Sequence, residues 1–198
     1  MSISSEVGEK LLSLPEASAV AMRIDINAYF DVIKAITEIF AREKNLNVVY
    51  ITATLPSASL LNAMRLLELE TDHVYFVDAI SRIMTSAIQK SDHIMYVESP
   101  TMLENILLKV EYLYKKSSVE NKNIVVVLDS INSLAIHNNH RILSEFLHIM
   151  VNNLRTKEAN TIIMAIEEQS TDELLNIIGF VCDETIVVKG PAEGGDVE

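Results

Sequence analysis

The sequence predicts an α/β domain, a three-layer α/β/α sandwich built on a mainly parallel sheet. Short apolar runs without alternation recur along the chain, and such runs are typical of strands buried on both faces. Segments with apolar residues at every third or fourth position lie between them, as in amphipathic helices. The 198 residues are 49% hydrophobic, and a domain of this size buries roughly 70% of its unfolded surface. Alternating strands and helices of these lengths favour parallel βαβ units in one domain.

The stretch 123–133 organises the rest of the chain. Five consecutive apolar residues, Ile124 to Leu128, end in Asp129 and Ser130. A run of this kind predicts a central strand of the sheet. Asp129 would then lie at the carboxyl end of that strand, where open α/β sheets bind their ligands.

The other strands are short and follow in order along the chain. We predict them at Ala19–Ile24, Val48–Ile51, Val74–Val77, Ile94–Val97, Thr161–Ile166 and Thr185–Val188. Residues 1–18 are interpreted as a leader with one helical turn, residues 19–189 as the α/β domain, and residues 190–198 as a polar tail.

The predicted helices fill the intervals between strands. The first, with Asp25 or Asn27 as its start signal, ends near Lys44 and has an inner stripe of Ile26, Tyr29, Phe30, Ile33, Ile36 and Phe40. The second starts at the Pro56 turn and has Leu60, Leu61, Met64 and Leu67 on its inner face. Two more are predicted over 79–90 and from Ser99-Pro100 to about Lys116. The last two run from about Asn138 to Thr156 and from a capping box at 170–173 to Ile178.

Composition excludes several classes of function. A net charge of −12 argues against sequence-independent binding to nucleic acid, which depends on clustered Lys and Arg. The single cysteine, Cys182, excludes an internal disulfide and a Cys-rich metal site, and a small buried hydrophobe is its expected role. No stretch approaches 18 apolar residues and the first 17 residues are mostly polar, so we expect neither a membrane span nor a signal peptide. A cytoplasmic protein is expected.

An apolar strand that ends in Asp129 and Ser130 has the form of a Walker B element. In such sites the carboxylate orders a magnesium ion beside bound phosphates. The structural alternative is that Asp129 caps a helix or binds loop amides.

Residues 123–133 resemble the corresponding part of RecA-like ATPases, most closely the archaeal KaiC and RadA-like proteins. The resemblance extends to Val48–Pro56 and to the segment Thr161–Val188, and covers about 150 residues as an order of elements. It implies a RecA-like fold, an archaeal cytoplasm and a tendency to assemble through sheet edges and outer helices.

The departures from that family concern its chemistry. Residues 22–28, Met-Arg-Ile-Asp-Ile-Asn-Ala, correspond to the glycine-rich phosphate cradle of the family. They contain no glycine, and no glycine occurs between Gly8 and Gly179. The cradle's Lys is missing, and 52–55, Thr-Ala-Thr-Leu, stands where the family has a catalytic Glu. We therefore expect a RecA-like fold without its P-loop, with Asp129 and Ser130 as a degenerate Walker B pair, no bound cofactor and no ATPase activity.

Other candidate sites are weaker. His137 and His140, with Glu145 and His148, fall at helical spacing, but His148 points away from the inner stripe and a metal site needs further inward ligands. The pair Glu167-Glu168 follows a strand and is interpreted as solvated loop charge.

Three functions remain open from the sequence. The first is a non-catalytic pseudo-ATPase that acts in protein binding or regulation. The second is an ATPase component whose Asp129 face completes a nucleotide site with a partner subunit, and the third is a sensor for a small molecule.

Self-association is also expected, as a homodimer before a larger ring. Several apolar residues fall off the inner stripes of their helices: Leu66, Leu69, Leu108, Tyr112, Ile142 and Ile149. Together they would form an exposed patch of the kind that marks interaction sites. The alternatives are that they are scattered singly or covered by residues 1–18.

Overall fold

Seven parallel strands form a single sheet in the computed structural model, which describes residues 1–85, 88 and 90–191. The strands are β1 Ala19–Ile24, β2 Leu46–Thr52, β3 Val74–Asp78, β4 Ile94–Tyr96, β5 Asn123–Asp129, β6 Asn160–Ile166 and β7 Glu184–Val188. Their order across the sheet is β4-β3-β2-β5-β6-β1-β7, and every pairing is parallel. The predicted fold class is confirmed.

The helices connect these strands across both faces of the sheet. They are α1 Ile3–Leu12, α2 Tyr29–Lys34, α3 Ala41–Glu43, α4 Ser57–Leu66, α5 Ser81–Met84, α6 Leu103–Val119, α7 Ile131–His137, α8 His140–Arg155 and α9 Asp172–Val181. A π-helical segment, Ala35–Phe40, joins α2 to α3 in one continuous helix. Short 3₁₀ turns stand at Ile26–Ala28 and Glu167–Gln169.

The central strand β5 divides the core into two halves. Its side chains alternate between the faces of the sheet: Ile124, Val126 and Leu128 pack among α6–α9, whereas Val125 and Val127 pack among α1–α4. We call these helical layers the front layer (α6–α9) and the rear layer (α1–α4 with the π segment). Asp129 continues the alternation and therefore faces the rear layer.

The segment interpreted as a leader forms a longer helix than expected. Instead of one turn, α1 has ten residues and its Val7 and Leu11 are buried in the rear layer. Close approach to the π segment depends on Gly8, because a Cβ added there would lie 2.6 Å from Cγ2 of Ile39.

Several helix starts differ from the predicted ones. Pro56 is the residue before α4 rather than part of its first turn, and α6 starts after Met102, with Ser99 in the preceding turn. At α9 the cap is Thr171, whose hydroxyl accepts from the Leu174 amide at 3.3 Å. The Ser170 hydroxyl instead donates to the Ile166 carbonyl at 2.7 Å.

Helix α7 was not predicted. It begins directly after Ser130, between the predicted central strand and the helix predicted from about Asn138. Asn132 holds it against β6, since its side-chain oxygen accepts from the Ile166 amide at 2.8 Å.

Some predicted inner-stripe residues are exposed. Ile26 and Phe30 at the start of the first helix and Leu67 at the end of α4 face solvent, while Leu69, expected outside, is buried. In the 79–90 stretch only α5 is helical among the described residues, with Ile83 and Met84 exposed. Positions 86, 87 and 89 of that prediction lie outside the described residues.

Candidate functional site

Asp129 lies at the carboxyl end of β5 as predicted, but its partners come from distant parts of the chain. Its Oδ2 accepts a hydrogen bond from the Tyr50 hydroxyl at 2.7 Å and a second one from the Tyr29 hydroxyl. The two hydroxyl oxygens lie 3.3 Å apart. Tyr50 belongs to the neighbouring strand β2, and Tyr29 is the first residue of α2.

This cluster is sealed from solvent. Asp129 is 1% exposed, Tyr50 is fully buried and Tyr29 is 9% exposed. Burial raises the pKa of the Asp129 carboxyl above its ordinary value, although the hydrogen bonds from Tyr29 and Tyr50 act in the opposite direction. Burial and the nearby Asp129 raise the pKa of both tyrosine hydroxyls. The tyrosines therefore remain neutral donors to the carboxyl.

The structure contradicts the interpretation of Asp129 as a cap or loop anchor. A cap requires a backbone amide as donor, and the hydrogen bonds found at the Asp129 side chain come from tyrosine hydroxyls. The cap position before α7 belongs to Ser130, whose side chain makes no capping hydrogen bond.

Ser130 follows Asp129 but has a different environment. Its amide donates to Oγ1 of Thr54 at 3.3 Å, and its hydroxyl lies 3.5 Å from the hydroxyls of Thr54 and Ser133. Thr54 and Ser133 are in turn 2.7 Å apart. These three hydroxyls join the loop after β2 to α7, so Ser130 and Asp129 have different hydrogen-bond partners.

The turn after β1 lies where the sequence resemblance places a phosphate cradle. In a cradle, successive backbone amides bind phosphate oxygens. Here the Asn27 amide donates to Oδ1 of Asp25 at 2.8 Å, and the Ile26 amide lies 3.4 Å from Oε1 of Glu168. Two amides of this turn are thus occupied by carboxylates of the chain itself.

Glycine at position 190 supports this turn. A Cβ added at Gly190 would lie 2.8 Å from Oδ1 of Asp25. The Asp25 amide also donates to the Val188 carbonyl at 2.9 Å. The end of β7 therefore packs directly against the residue that closes the turn.

The pair Glu167-Glu168 is more than solvated loop charge. Glu167 forms a two-point ion pair with Arg23 of β1, in which Nε of Arg23 lies 2.8 Å from Oε2. The hydrogen bond from Arg23 lowers the pKa of the Glu167 carboxyl. Glu167 thus binds β1, and Glu168 lies against the turn that follows β1. The prediction that this pair is only solvated loop charge is therefore corrected.

A second buried carboxylate, Asp78, ends β3. It accepts hydrogen bonds from the amides of Ser57 and Ser81, each at 2.8 Å, and from the Ser81 hydroxyl at 2.6 Å. Burial opposes its ionisation, but the hydrogen bonds from Ser57 and Ser81 outweigh burial and lower its pKa. Asp78 is the carboxylate that anchors helix starts, here those of α4 and α5.

The remaining candidates stay apart from Asp129. Nδ1 of His140 pairs with Glu173 of α9 at 2.9 Å, and His148 is exposed on α8. Burial raises the pKa of the Cys182 thiol to about 12. Within the described ranges, no group of three or more His, Cys, Asp or Glu side chains is arranged to hold a metal ion.

Sequence reasoning missed Tyr29 and Tyr50. Tyr29 was assigned to a helix stripe and Tyr50 to a strand, because each lies within an apolar pattern. A polar hydroxyl at the end of a buried aromatic ring needs a partner, and that requirement was the available signal. Nothing local indicated that the shared partner was a carboxylate 100 and 79 residues further along the chain.

Comparison with solved structures supports the fold. A KaiC-like protein from the hyperthermophilic archaeon Pyrococcus horikoshii OT3 matches with a TM-score of 0.61 and 19% identity over 92% of this chain and 76% of its own. The flagellar accessory protein FlaH from Methanocaldococcus jannaschii matches with a TM-score of 0.59 and 13% identity over the same shares. No family model and no curated protein sequence matches.

The chain therefore has a RecA-like α/β fold, similar to that of a KaiC-like protein and of FlaH. Among the described residues, no helix is both long and apolar enough to cross a membrane.

Proposed function

We propose that this chain is a non-catalytic RecA-like domain, a pseudo-ATPase that acts through protein binding or regulation. The observation that carries the proposal is the Tyr29–Tyr50–Asp129 cluster. A Walker B carboxylate works by ordering a magnesium ion, and here two tyrosine hydroxyls donate to Asp129 in a site closed to solvent.

The turn before α2 supports the same proposal. Phosphate binding needs free amides and a positive charge. The Ile26 and Asn27 amides face the carboxylates of Glu168 and Asp25 instead. These negative groups would repel the phosphates of a nucleotide at the place where the family binds them.

The burial of Asp129 also disfavours the second function, in which its face would complete a nucleotide site with a partner subunit. A carboxyl that is 1% exposed beneath Tyr29 offers no surface to a ligand from another chain. The proposal keeps the cytoplasmic location that the sequence resemblance implies.

The partner that we propose first is another copy of the chain, in a homodimer. Exposed apolar side chains support this, among them Leu108, Tyr112, Ile142 and Ile149 on outer helices. Contiguous apolar surface of this kind marks interaction sites.

Titration calorimetry with magnesium-ATP tests the proposed loss of nucleotide binding. We expect no heat of binding at tens of micromolar protein. A variant with Tyr29→Ala, which exposes Asp129 but leaves the turn at 25–28 unchanged, should also fail to bind. Micromolar uptake by the wild-type protein would contradict the proposal, and uptake by the variant alone would show that Tyr29 is the only obstacle.

A further inference from the structure

The outer surface of α6 carries a second apolar stripe. Its inner stripe, which includes Ile106 and Val110, is buried in the front layer. Leu108, Tyr112 and Val119 face the opposite way and are 64%, 56% and 85% exposed. Their spacing of four and seven residues places them within about 40° of one another around the helix. Helix α6 is therefore apolar on both its inner and its outer side.

Helix α8 extends this apolar surface. Its Ile142 and Ile149 are both more than half exposed. Helical geometry of about 100° per residue places them between the outward side of α8 and the side that faces α6. The two helices meet along a seam where Nζ of Lys157 lies 3.1 Å from Oε2 of Glu111. We call the five side chains Leu108, Tyr112, Val119, Ile142 and Ile149 the outer patch.

The other expected explanations for these residues do not hold. Residues 1–18 do not cover the outer patch, because α1 packs against α2 and the π segment in the rear layer. Leu108 and Tyr112 are neighbours at i, i+4 spacing on α6, and Ile142 and Ile149 lie on the adjacent helix of the same layer. Leu66 is 86% exposed, but it belongs to α4 on the opposite side of the sheet.

Charges flank the outer patch in a pattern that fits a second copy of the same helix. Glu104 lies four residues before Leu108, and Lys115 lies three residues after Tyr112. By helical geometry both side chains are on the same flank of the stripe. Both are solvent-exposed; Lys115, with 73% of its side chain accessible, lies 3.5 Å from Oε1 of Glu111 on its own helix.

The two pairs are nearly symmetric about the level of Val110 along the helix, because Leu108 and Tyr112 are centred on position 110 and Glu104 and Lys115 between positions 109 and 110. If the outer faces of two α6 helices pack antiparallel about a two-fold axis at that level, Leu108 of each copy faces Tyr112 of the other, and Glu104 faces Lys115. A parallel arrangement would instead place the two Glu104 side chains at one level and the two Lys115 side chains at another, so no Glu104–Lys115 pair would form across the interface. Self-complementarity under a two-fold axis is the property that an isologous interface requires.

We propose that the outer patch is the interface of a two-fold homodimer, with α6 packed antiparallel on α6 of the second copy. This inference rests on the self-association proposed above and identifies its surface. The 17 residues of α6 span about 25 Å.

Light scattering behind a sizing column tests the surface. The wild-type protein at tens of micromolar should have twice the chain mass of 22.1 kDa. Leu108→Asp should reduce the mass to that of one chain, because it places two carboxylates at the centre of the interface. Leu66→Asp, at a similarly exposed leucine on the rear layer, is the matched control and should leave the dimer intact.

Charge reversal tests the antiparallel arrangement. Glu104→Lys alone opposes two pairs of lysines across the two-fold axis, so we expect about 5–30-fold weaker dimerisation. Lys115→Glu alone should have the same effect. The combined variant restores both ion pairs and should return to within about threefold of the wild type.

Each result bears on a separate statement. A wild-type monomer would overturn both the self-association and this interface, whereas a persistent Leu108→Asp dimer would overturn the interface alone. Failure of the combined charge variant to recover would reject the antiparallel arrangement. Circular dichroism of each variant confirms its fold, and the charge variants test the surface even if Leu108→Asp does not fold. The calorimetric test of nucleotide binding is independent of all these outcomes.

Discussion

At Asp129, burial and hydrogen bonding act on the same carboxyl in opposite directions. Burial raises its pKa, whereas the hydroxyls of Tyr29 and Tyr50 stabilise the charged form. At Asp78, which is equally buried, hydrogen bonds from Ser57 and Ser81 outweigh burial and lower the pKa. Side-chain and backbone hydrogen bonds from Ser57 and Ser81 lower the pKa of Asp78, whereas the hydrogen bonds to Asp129 come from two tyrosine hydroxyls and no backbone amide.

Replacement of Asp129 separates its charge from its role as an acceptor. Asp129→Ala should lower the free energy of unfolding by about 1–3 kcal/mol, because two buried hydroxyls lose their shared acceptor. Asp129→Asn keeps an acceptor oxygen and removes the buried charge, so it should be at least as stable as the wild type at pH 7. Urea unfolding followed by circular dichroism measures both. Equal losses for the two variants would mean that the charge itself is stabilising.

The pH dependence of Asp129→Asn checks the direction of the pKa shift. A carboxyl whose pKa is raised by folding contributes stability that is fully present below its unfolded pKa of 3.8 and is lost as the pH rises through the folded value. The wild type should therefore lose stability relative to Asp129→Asn as the pH rises above about 4. A difference between the two proteins that does not change with pH would show that the pKa is not raised.

The packing of α1 on the π segment depends on a close contact between Gly8 and Ile39. A Cβ at Gly8 would lie 2.6 Å from Cγ2 and 2.9 Å from Cβ of Ile39. Because Cβ of Ile39 is attached to the backbone, the contact cannot be relieved by a rotamer change alone. The close contact with Ile39 therefore requires glycine at position 8, although glycine has a low helix propensity.

Gly8→Ala should destabilise the protein. Overpacking costs about 1–3 kcal/mol, and the gain in helix propensity of about 1 kcal/mol offsets only part of it. The matched control is Gly179→Ala on α9, where a Cβ would meet nothing within 4 Å. That variant should gain about 0.5–1 kcal/mol. Thermal unfolding of both decides whether the Gly8 contact is tight, since a stabilised Gly8→Ala would show that α1 can move away.

At the scale of the whole molecule, α1 belongs to the folded body. Leu11 is 1% exposed within the rear layer. Leu11→Ala should therefore cost about 2–5 kcal/mol of unfolding free energy, as expected for a buried leucine. Leu66→Ala, at a leucine that is 86% exposed, should change it by less than about 0.5 kcal/mol. Denaturant unfolding compares the two, and equal effects would mean that residues 1–18 are a detachable leader.

The Asp129 cluster and the proposed dimer interface lie on opposite sides of the sheet. The sealed Asp129 cluster faces the rear layer through Tyr29 of α2, and the outer patch lies on α6 and α8 of the front layer. The sheet stands between them. We therefore expect the Tyr29→Ala variant to keep the wild-type dimer mass.

The amino-acid sequence by itself determined where the strands lie along the chain and that they are buried parallel strands. It also determined the position of Asp129 at the end of β5 and the absence of a glycine-rich cradle. These features are local, because a buried parallel strand needs a continuous apolar run and a phosphate loop needs glycine at fixed spacing. The helix starts predicted at Pro56, Ser99 and Ser170 differ by one to three residues from the observed ones, because local sequence defines the ends of a helix less sharply than its interior.

Only the tertiary structure decided what Asp129 binds and which apolar residues remain exposed. Tyr29 and Tyr50 reach Asp129 because the sheet order places β2 beside β5 and starts α2 near the carboxyl end of β5. Leu66 and Leu69 share one local pattern, yet the first faces solvent and the second is buried. Contacts between residues far apart in the chain depend on the packing of whole layers, which no local spacing encodes.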